Sequence, residues 1–181
     1  MDIKLENILI ANDGHLKFCD FGFAQPINGF VTTKMGTPLY MAPEIHQANE
    51  MPCKAQVTDV FSLGVLFFML AFGAPPFHSA VNTDPYFSCL KIKPGNTDFF
   101  KFHPHTRNLF NKKLIPQCFM DLLLAMLMVE PAKRVQEVGK LLEFDFFTCE
   151  EEPNDESMYL TDVMKQAVTE LKDDMESNQE D

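Results

Sequence analysis

From Val60 to Phe72 the chain runs without a charged residue, and this stretch constrains the fold more than any other. Thr58-Asp59 stands before it as a candidate helix N-cap, with Gly73 and then Pro75-Pro76 behind it as stop signals. A helix that is apolar on every side must lie inside a protein core or inside a bilayer. The run is about 13 to 15 residues long, short of the roughly 20 needed to cross a membrane, so a core helix is expected. Pro116 opens a second helix, with Phe119, Leu122, Leu123, Met126 and Leu127 on one face. At 181 residues with 46% hydrophobic content, the chain can build one real core around these helices. Eighteen Phe and no Trp assign the aromatic packing to phenylalanine. The expected fold class is mainly α.

The net charge of −11 is unevenly spread. Residues 1–149 hold 14 acids and 13 bases, whereas 150–181 hold 12 acids and two lysines. A nearly neutral body without clustered Lys and Arg is a poor match for nucleic acid. Five Cys at 19, 53, 89, 118 and 149 are odd in number and scattered, which points to a reducing compartment rather than a disulfide framework or zinc site. Cys19 reads as an inert thiol, with exposure to a ligand pocket as the alternative. His103 and His105 flank a proline and lack a third ligand for a metal. No basic n-region and apolar h-region begin the sequence, so a cytoplasmic location is expected. In the tail, Glu150 to Asp155 reads as a linker. Thr161 then caps a helix with Met164, Ala167, Val168, Leu171 and Met175 in one stripe, docked on the body or a partner, or else solvated.

Chemistry concentrates near the N-terminus. Ile8-Leu9-Ile10 and His15-Leu16-Lys17-Phe18-Cys19 read as two short strands, and Asn12-Asp13-Gly14 supplies the turn because these residues tolerate positive φ. Such a hairpin returns Asn7 and Asp20 to one end, with Asp2 and Lys4 just before it. An amide and a carboxylate there suit Mg²⁺ on a nucleotide, while a further carboxylate orients an attacking hydroxyl.

Asp2-Ile3-Lys4-Leu5-Glu6-Asn7, Asp20-Phe21-Gly22 and Gly36-Thr37-Pro38-Leu39-Tyr40-Met41-Ala42-Pro43-Glu44 together resemble the catalytic loop, D-F-G and A-P-E segments of eukaryotic protein kinases. The likeness covers residues 2 to 147. Lys4 points to the Ser/Thr branch, and the segments around Ala74-Pro75-Pro76-Phe77 and Asp84-Pro85-Tyr86-Phe87 are similar to calcium/calmodulin-dependent-type kinases. An acidic tail departs from the basic calmodulin-binding helix of that group. The resemblance implies a protein-kinase-like C-terminal lobe in residues 1–149, with a short β-hairpin carrying the catalytic and D-F-G loops, and an acidic tail in 150–181.

It further implies ATP and Mg²⁺ as cofactors and protein Ser/Thr side chains as substrates, with no nucleic acid or membrane partner. Asp2 would orient the substrate hydroxyl and take its proton. Lys4 would steady the γ-phosphate, Asn7 and Asp20 would bind Mg²⁺, and Leu9 would lie under the adenine. Thr37 would hydrogen-bond Asp2 and Lys4, Asp59 would hold the catalytic-loop backbone, and Glu44 would pair with Arg134. Residues 23–35 would form the activation loop, with Thr32 or Thr33 as candidate phosphosites. Met1 stands where the family has Arg, and Phe61 replaces its Trp. The Gly-rich loop, strand Lys and its Glu partner find no match in the sequence. The expectation is a fragment inactive on its own, whether natural or a truncated version of a longer gene. The alternative is a kinase-like protein-binding module.

Overall fold

A computed structural model of the chain describes residues 1–13, 15–26, 28–47, 52–92, 97–148 and 164–173. Gly14 of the hairpin turn, Cys149, the 150–155 linker, Thr161 and Met175 lie outside the described residues.

The charge-free run becomes α1, Ala55–Phe72. It is one turn longer than the sequence signals indicate. Lys54 is the N-cap residue and makes no side-chain cap, so Thr58 and Asp59 sit inside the helix. Thr58 Oγ1 instead donates to the Ala55 carbonyl at 2.7 Å. The stop falls as expected: Gly73 adopts φ 67° and its N–H closes on the Met69 carbonyl at 2.9 Å, a left-handed cap that glycine takes at no steric cost. By length and composition alone, α1 could cross a bilayer. Its surroundings decide otherwise, because Phe61, Leu63, Val65, Leu66, Phe67 and Phe68 are fully enclosed by the rest of the chain.

Five further helices follow: α2 (Pro85–Ile92), α3 (Asp98–Phe102), α4 (Arg107–Asn111), α5 (Gln117–Met126) and α6 (Asp145–Thr148). Asp84 starts α2 by accepting the Tyr86 and Phe87 amides at 2.9 and 3.0 Å, with Pro85 at the first helical position. Helix α5 buries Phe119, Leu122, Leu123 and Met126 on the face the spacing marked, and packs on α1. Gly64 makes that approach possible, since a Cβ there would lie 2.9 Å from Met126 Cβ. Phe68 gathers Phe72, Phe99, Phe100 and His103 around itself, at centroid distances of 4.6 to 6.5 Å.

The strands are few and short. β1 (Ile8–Ile10) and β2 (Leu16–Phe18) form the antiparallel hairpin in the register Ile8↔Phe18, Leu9↔Lys17, Ile10↔Leu16. A second ladder does not follow from the sequence: β3 (Phe30–Val31), within the 23–35 stretch expected as loop, pairs with β4 (Cys53–Lys54) just before α1. Val31 is buried there and the Ala55 amide donates to the Gly29 carbonyl at 3.0 Å, so the pairing seats this loop on the start of α1.

The tail helix spans 164–173 and is called α7. Met164, Ala167, Val168 and Leu171 are buried in the same core cluster as α1 and α5, so the docked alternative describes these residues. Lys172 lies over Gly139, where an added Cβ would stand 3.3 Å from its Cδ.

Candidate active site

Asp2 sits in an extended entry to a single 3₁₀ turn, Leu5–Asn7, which feeds directly into β1. Ile3 is the anchor, 1% exposed in the core, so its neighbours Asp2 and Lys4 project from a fixed backbone. Lys4 Nζ donates to Asp2 Oδ2 at 2.6 Å and to Thr37 Oγ1 at 3.2 Å. Thr37 closes the triangle, its hydroxyl donating to Asp2 Oδ2 at 3.0 Å and its amide to Oδ1 at 2.8 Å. Gly36 permits this approach: its φ is +100° and a Cβ would stand 3.2 Å from Asp2 Oδ1.

The electrostatics follow from those bonds. Burial pushes the Asp2 carboxyl up, but the hydrogen bonds from Lys4 and Thr37 outweigh it and hold the group below its usual range. Lys4 is raised, first by its bond to Asp2 and further by the nearby charges of Glu6 and Asp20. Asp2 is therefore ionised at neutral pH and Lys4 remains a cation.

Asn7 is buried, and its amide nitrogen donates to the Asp2 carbonyl at 2.9 Å. That bond orients the amide by its nitrogen and leaves the amide oxygen free to accept or ligate. The Cys19 amide donates to the Asn7 carbonyl at 2.9 Å, extending the hairpin ladder by one bond to the residue before Asp20. Asp20 is exposed and adopts φ 63°, a left-handed conformation costing an aspartate of order 1 kcal/mol. Its Oδ1 accepts the Gly22 amide at 3.3 Å. Its negative charge adds the smallest part of the rise in the Lys4 ammonium, after Asp2 and Glu6. Leu9, by contrast, points outward and is 56% exposed.

An amide oxygen and a carboxylate are hard donors, and Mg²⁺ typically takes one or two protein oxygens and completes its shell with water and phosphate. The donor set at Asn7 and Asp20 therefore fits Mg²⁺. Among the described residues no cluster of three or more His, Cys, Asp or Glu suits a tighter metal. His103 is occupied otherwise: its Nε2 donates to the Pro75 carbonyl at 3.1 Å. Cys19 is half-buried rather than enclosed. Thr32 and Thr33 are exposed on the loop after β3.

Beneath the triangle lies a supporting layer in which the sequence assigns a role to Asp59 alone. Tyr40 is 3% exposed, and its hydroxyl accepts the Leu5 amide at 3.4 Å. Ser62 of α1 donates to the Tyr40 carbonyl at 2.9 Å, so the central helix holds Tyr40 and Tyr40 holds the turn after Lys4. Tyr40 lies within the quoted Gly36–Glu44 segment, and Ser62 is a lone hydroxyl in an apolar run. The Met1 amino nitrogen donates to both oxygens of Asp59, at 3.0 and 3.3 Å, tying the backbone before Asp2 to α1 as well. Burial raises the Asp59 carboxyl, and that ammonium opposes the rise.

Glu44 and Arg134 form the deepest ion pair among the described residues. Nη1 meets Oε1 at 2.5 Å and Nη2 meets Oε2 at 2.9 Å. Arg134 also donates to the Met128 and Val57 carbonyls at 2.8 and 2.9 Å and covers the Phe61 ring at 4.9 Å.

The protein kinase domain family matches residues 1–147, most of the chain. The chain belongs to the protein kinase family. Over 115 residues it is 37% identical to the human cAMP-dependent protein kinase catalytic subunit PRKX, which covers 63% of this chain and 30% of that protein. Over 153 residues it is 32% identical to the serine/threonine-protein kinase cds1 of Schizosaccharomyces pombe, covering 81% of this chain and 31% of the relative. The cAMP-dependent protein kinase type 3 of Saccharomyces cerevisiae is 38% identical over 114 residues, 63% of this chain and 27% of its own length. The chain thus spans about three tenths of the length of these kinases.

Proposed function

We propose that this chain is the C-terminal lobe of a Ser/Thr protein kinase and carries its phosphoryl-transfer residues. The Asp2–Lys4–Thr37 triangle is the observation that supports this most strongly. A carboxylate kept ionised by two partners can orient a substrate hydroxyl and accept its proton as the bond to phosphorus forms. Lys4 then presents its charge toward the transferred group, and Thr37 fixes the spacing between the two. Asn7 and Asp20 would hold Mg²⁺, which when bound neutralises charge on the nucleotide phosphates. Leu9, exposed on β1, would supply an apolar floor for the adenine of ATP. The calcium/calmodulin-dependent-type subgroup is the finer reading, supported by residues 74–87 alone.

The test is a chimera that joins a related kinase's N-terminal lobe, through its catalytic-loop His and Arg, to Asp2 onward. It should phosphorylate Ser or Thr peptides, and Asp2→Asn and Asp20→Asn should each abolish turnover. A folded chimera with no activity, or one indifferent to Asp20→Asn, removes the kinase reading. The chain alone should show no useful turnover in a radiolabelled-phosphate assay, because positioning supplies most of the catalysis in this reaction.

A second reading is a protein-binding module that transfers no phosphate. The observation favouring it is the apolar surface at Leu9, Ile10, Phe21, Phe23 and Phe30, each between 44% and 73% exposed. The chimera distinguishes the two.

A further inference from the structure

Outside the region around the hairpin, the large exposed apolar side chains concentrate in residues 102–114: Phe102 is 60% exposed, Leu109 37% and Leu114 63%. The same stretch carries Lys101, Arg107, Lys112 and Lys113, all exposed, and no Asp or Glu occurs anywhere between residues 99 and 120. Four of the chain's 15 Lys and Arg thus fall within fourteen residues, in a protein whose net charge is −11. Among the described residues no acidic side chain forms an ion pair with any of these four cations.

The backbone beneath this surface is firmly held. Phe99, Phe100, His103, Thr106 and Ile115 are all buried. Thr106 Oγ1 donates to the Phe100 carbonyl at 2.7 Å, and α3 packs on α4. The Leu114 amide closes on the Leu109 carbonyl at 2.9 Å, bringing the two leucines together. Lys113 reaches that closure only by taking φ 55°. A non-glycine residue in the left-handed region costs free energy, and here it leaves Leu114 facing solvent rather than the core.

From this coincidence of preformed apolar anchors and uncompensated cations, we propose that residues 101–114 dock an acidic peptide segment of a partner protein, one with leucine or phenylalanine anchors spaced among carboxylates. The anchors would cover Phe102, Leu109 and Leu114, while carboxylates pair with Lys101, Arg107 and Lys112. Desolvated apolar contacts supply the affinity of such a surface, and the charges supply its selectivity and association rate. The surface is distinct from the Asp2–Asp20 site and does not depend on phosphoryl transfer.

Fluorescence anisotropy of the intact chain tests it, with a short labelled peptide of leucines and phenylalanines spaced among glutamates. Two controls replace either the glutamates by glutamine or the anchors by serine. Saturable binding should appear with the first peptide, weaken as ionic strength rises, and fall about tenfold or more with either control. Leu114→Ser and, separately, Lys101→Glu with Lys112→Glu should each weaken it by about tenfold or more. Both alter exposed side chains, and unchanged urea midpoints would show that the fold is intact. Affinity unchanged in both variants overturns the proposal. So does tighter binding of single-stranded RNA than of the peptide. It is equally overturned if the peptide binds only after the chain's own Glu150, Glu151, Glu152, Asp155 and Glu156 are neutralised, because the occupant would then be internal.

Discussion

Glu44–Arg134 and Asp2–Lys4 are both carboxylate–cation pairs on one core, and they are built differently. The Arg134 side chain is fully enclosed, and its three nitrogens give four hydrogen bonds, to Glu44, Val57 and Met128. Lys4 keeps 22% of its side chain exposed and gives hydrogen bonds to Asp2 and Thr37. With three donors on an ammonium group, one is left over. A pair sealed from solvent can only hold things together. A pair with a spare donor, a solvent-facing side and shifted titration can also receive a ligand. The first joins the segment after Thr37 to the turn at Pro131–Lys133, and the second joins the entry to β1 to Thr37 with Lys4 partly in solvent.

Arg134→Ala should produce the largest effect, a loss of about 3–5 kcal/mol in urea unfolding, because it strands the Glu44 carboxylate among buried groups. Arg134→Lys should recover little of this, since a point charge cannot reproduce the bidentate geometry. A change below about 0.5 kcal/mol would erase the contrast, for that is what a surface pair gives.

Gly64→Ala should come next, at about 1–3 kcal/mol, from overpacking where α1 meets α5. The methyl would fall 2.9 Å from Met126 Cβ, and Leu127 crowds the same point. A neutral or stabilising result would mean that α5 shifts away freely, and the rigid base beneath the site would lose its support.

Asp2→Asn should cost the isolated chain under about 1 kcal/mol, since its partner Lys4 can turn to water. In the chimera the same change should abolish turnover. A stability loss comparable with that of Arg134→Ala would make Asp2 a structural residue and sink the distinction.

The smallest effect is the pH dependence of that pair. The Asp2 carboxyl is held below the usual carboxylate range in the folded state, so its contribution is fully present above the unfolded value. It is lost as pH falls through the depressed folded value, because the unfolded chain takes up the proton first. Urea midpoints followed from neutral pH into the acid range should fall more steeply for wild type than for Asp2→Asn. Parallel curves would contradict the electrostatic account of the triangle.

Much of this was legible before any coordinates. The α1 and α5 cores, the left-handed stop at Gly73, and the hairpin that returns Asp20 toward Asn7 follow from local rules of periodicity, capping and turn chemistry. The start of α1 did not. Thr58-Asp59 satisfies every local criterion for an N-cap, yet Ala55–Val57 can bury Ala55 and Val57 against the rest of the body, and tertiary packing extended the helix through the cap signal. The β3–β4 ladder escaped for a related reason, since two-residue strands carry no periodicity and exist only because partners 22 and 24 residues apart meet at the start of α1.

The sequence by itself determined the residue types and order of the site: Asp2, Lys4, Asn7, Asp20 and Thr37, on a helical body with an acidic tail. Their spacing along the chain states which atoms are offered, because side-chain chemistry is local. The tertiary structure alone decided which of them touch. It brought Thr37 onto Asp2 across 35 residues and Arg134 onto Glu44 across 90, set Tyr40 and Ser62 beneath the site, and folded 164–173 back into the common core. Those choices depend on how whole helices fill a shared volume, and close packing is a property of the assembled core that no single stretch contains.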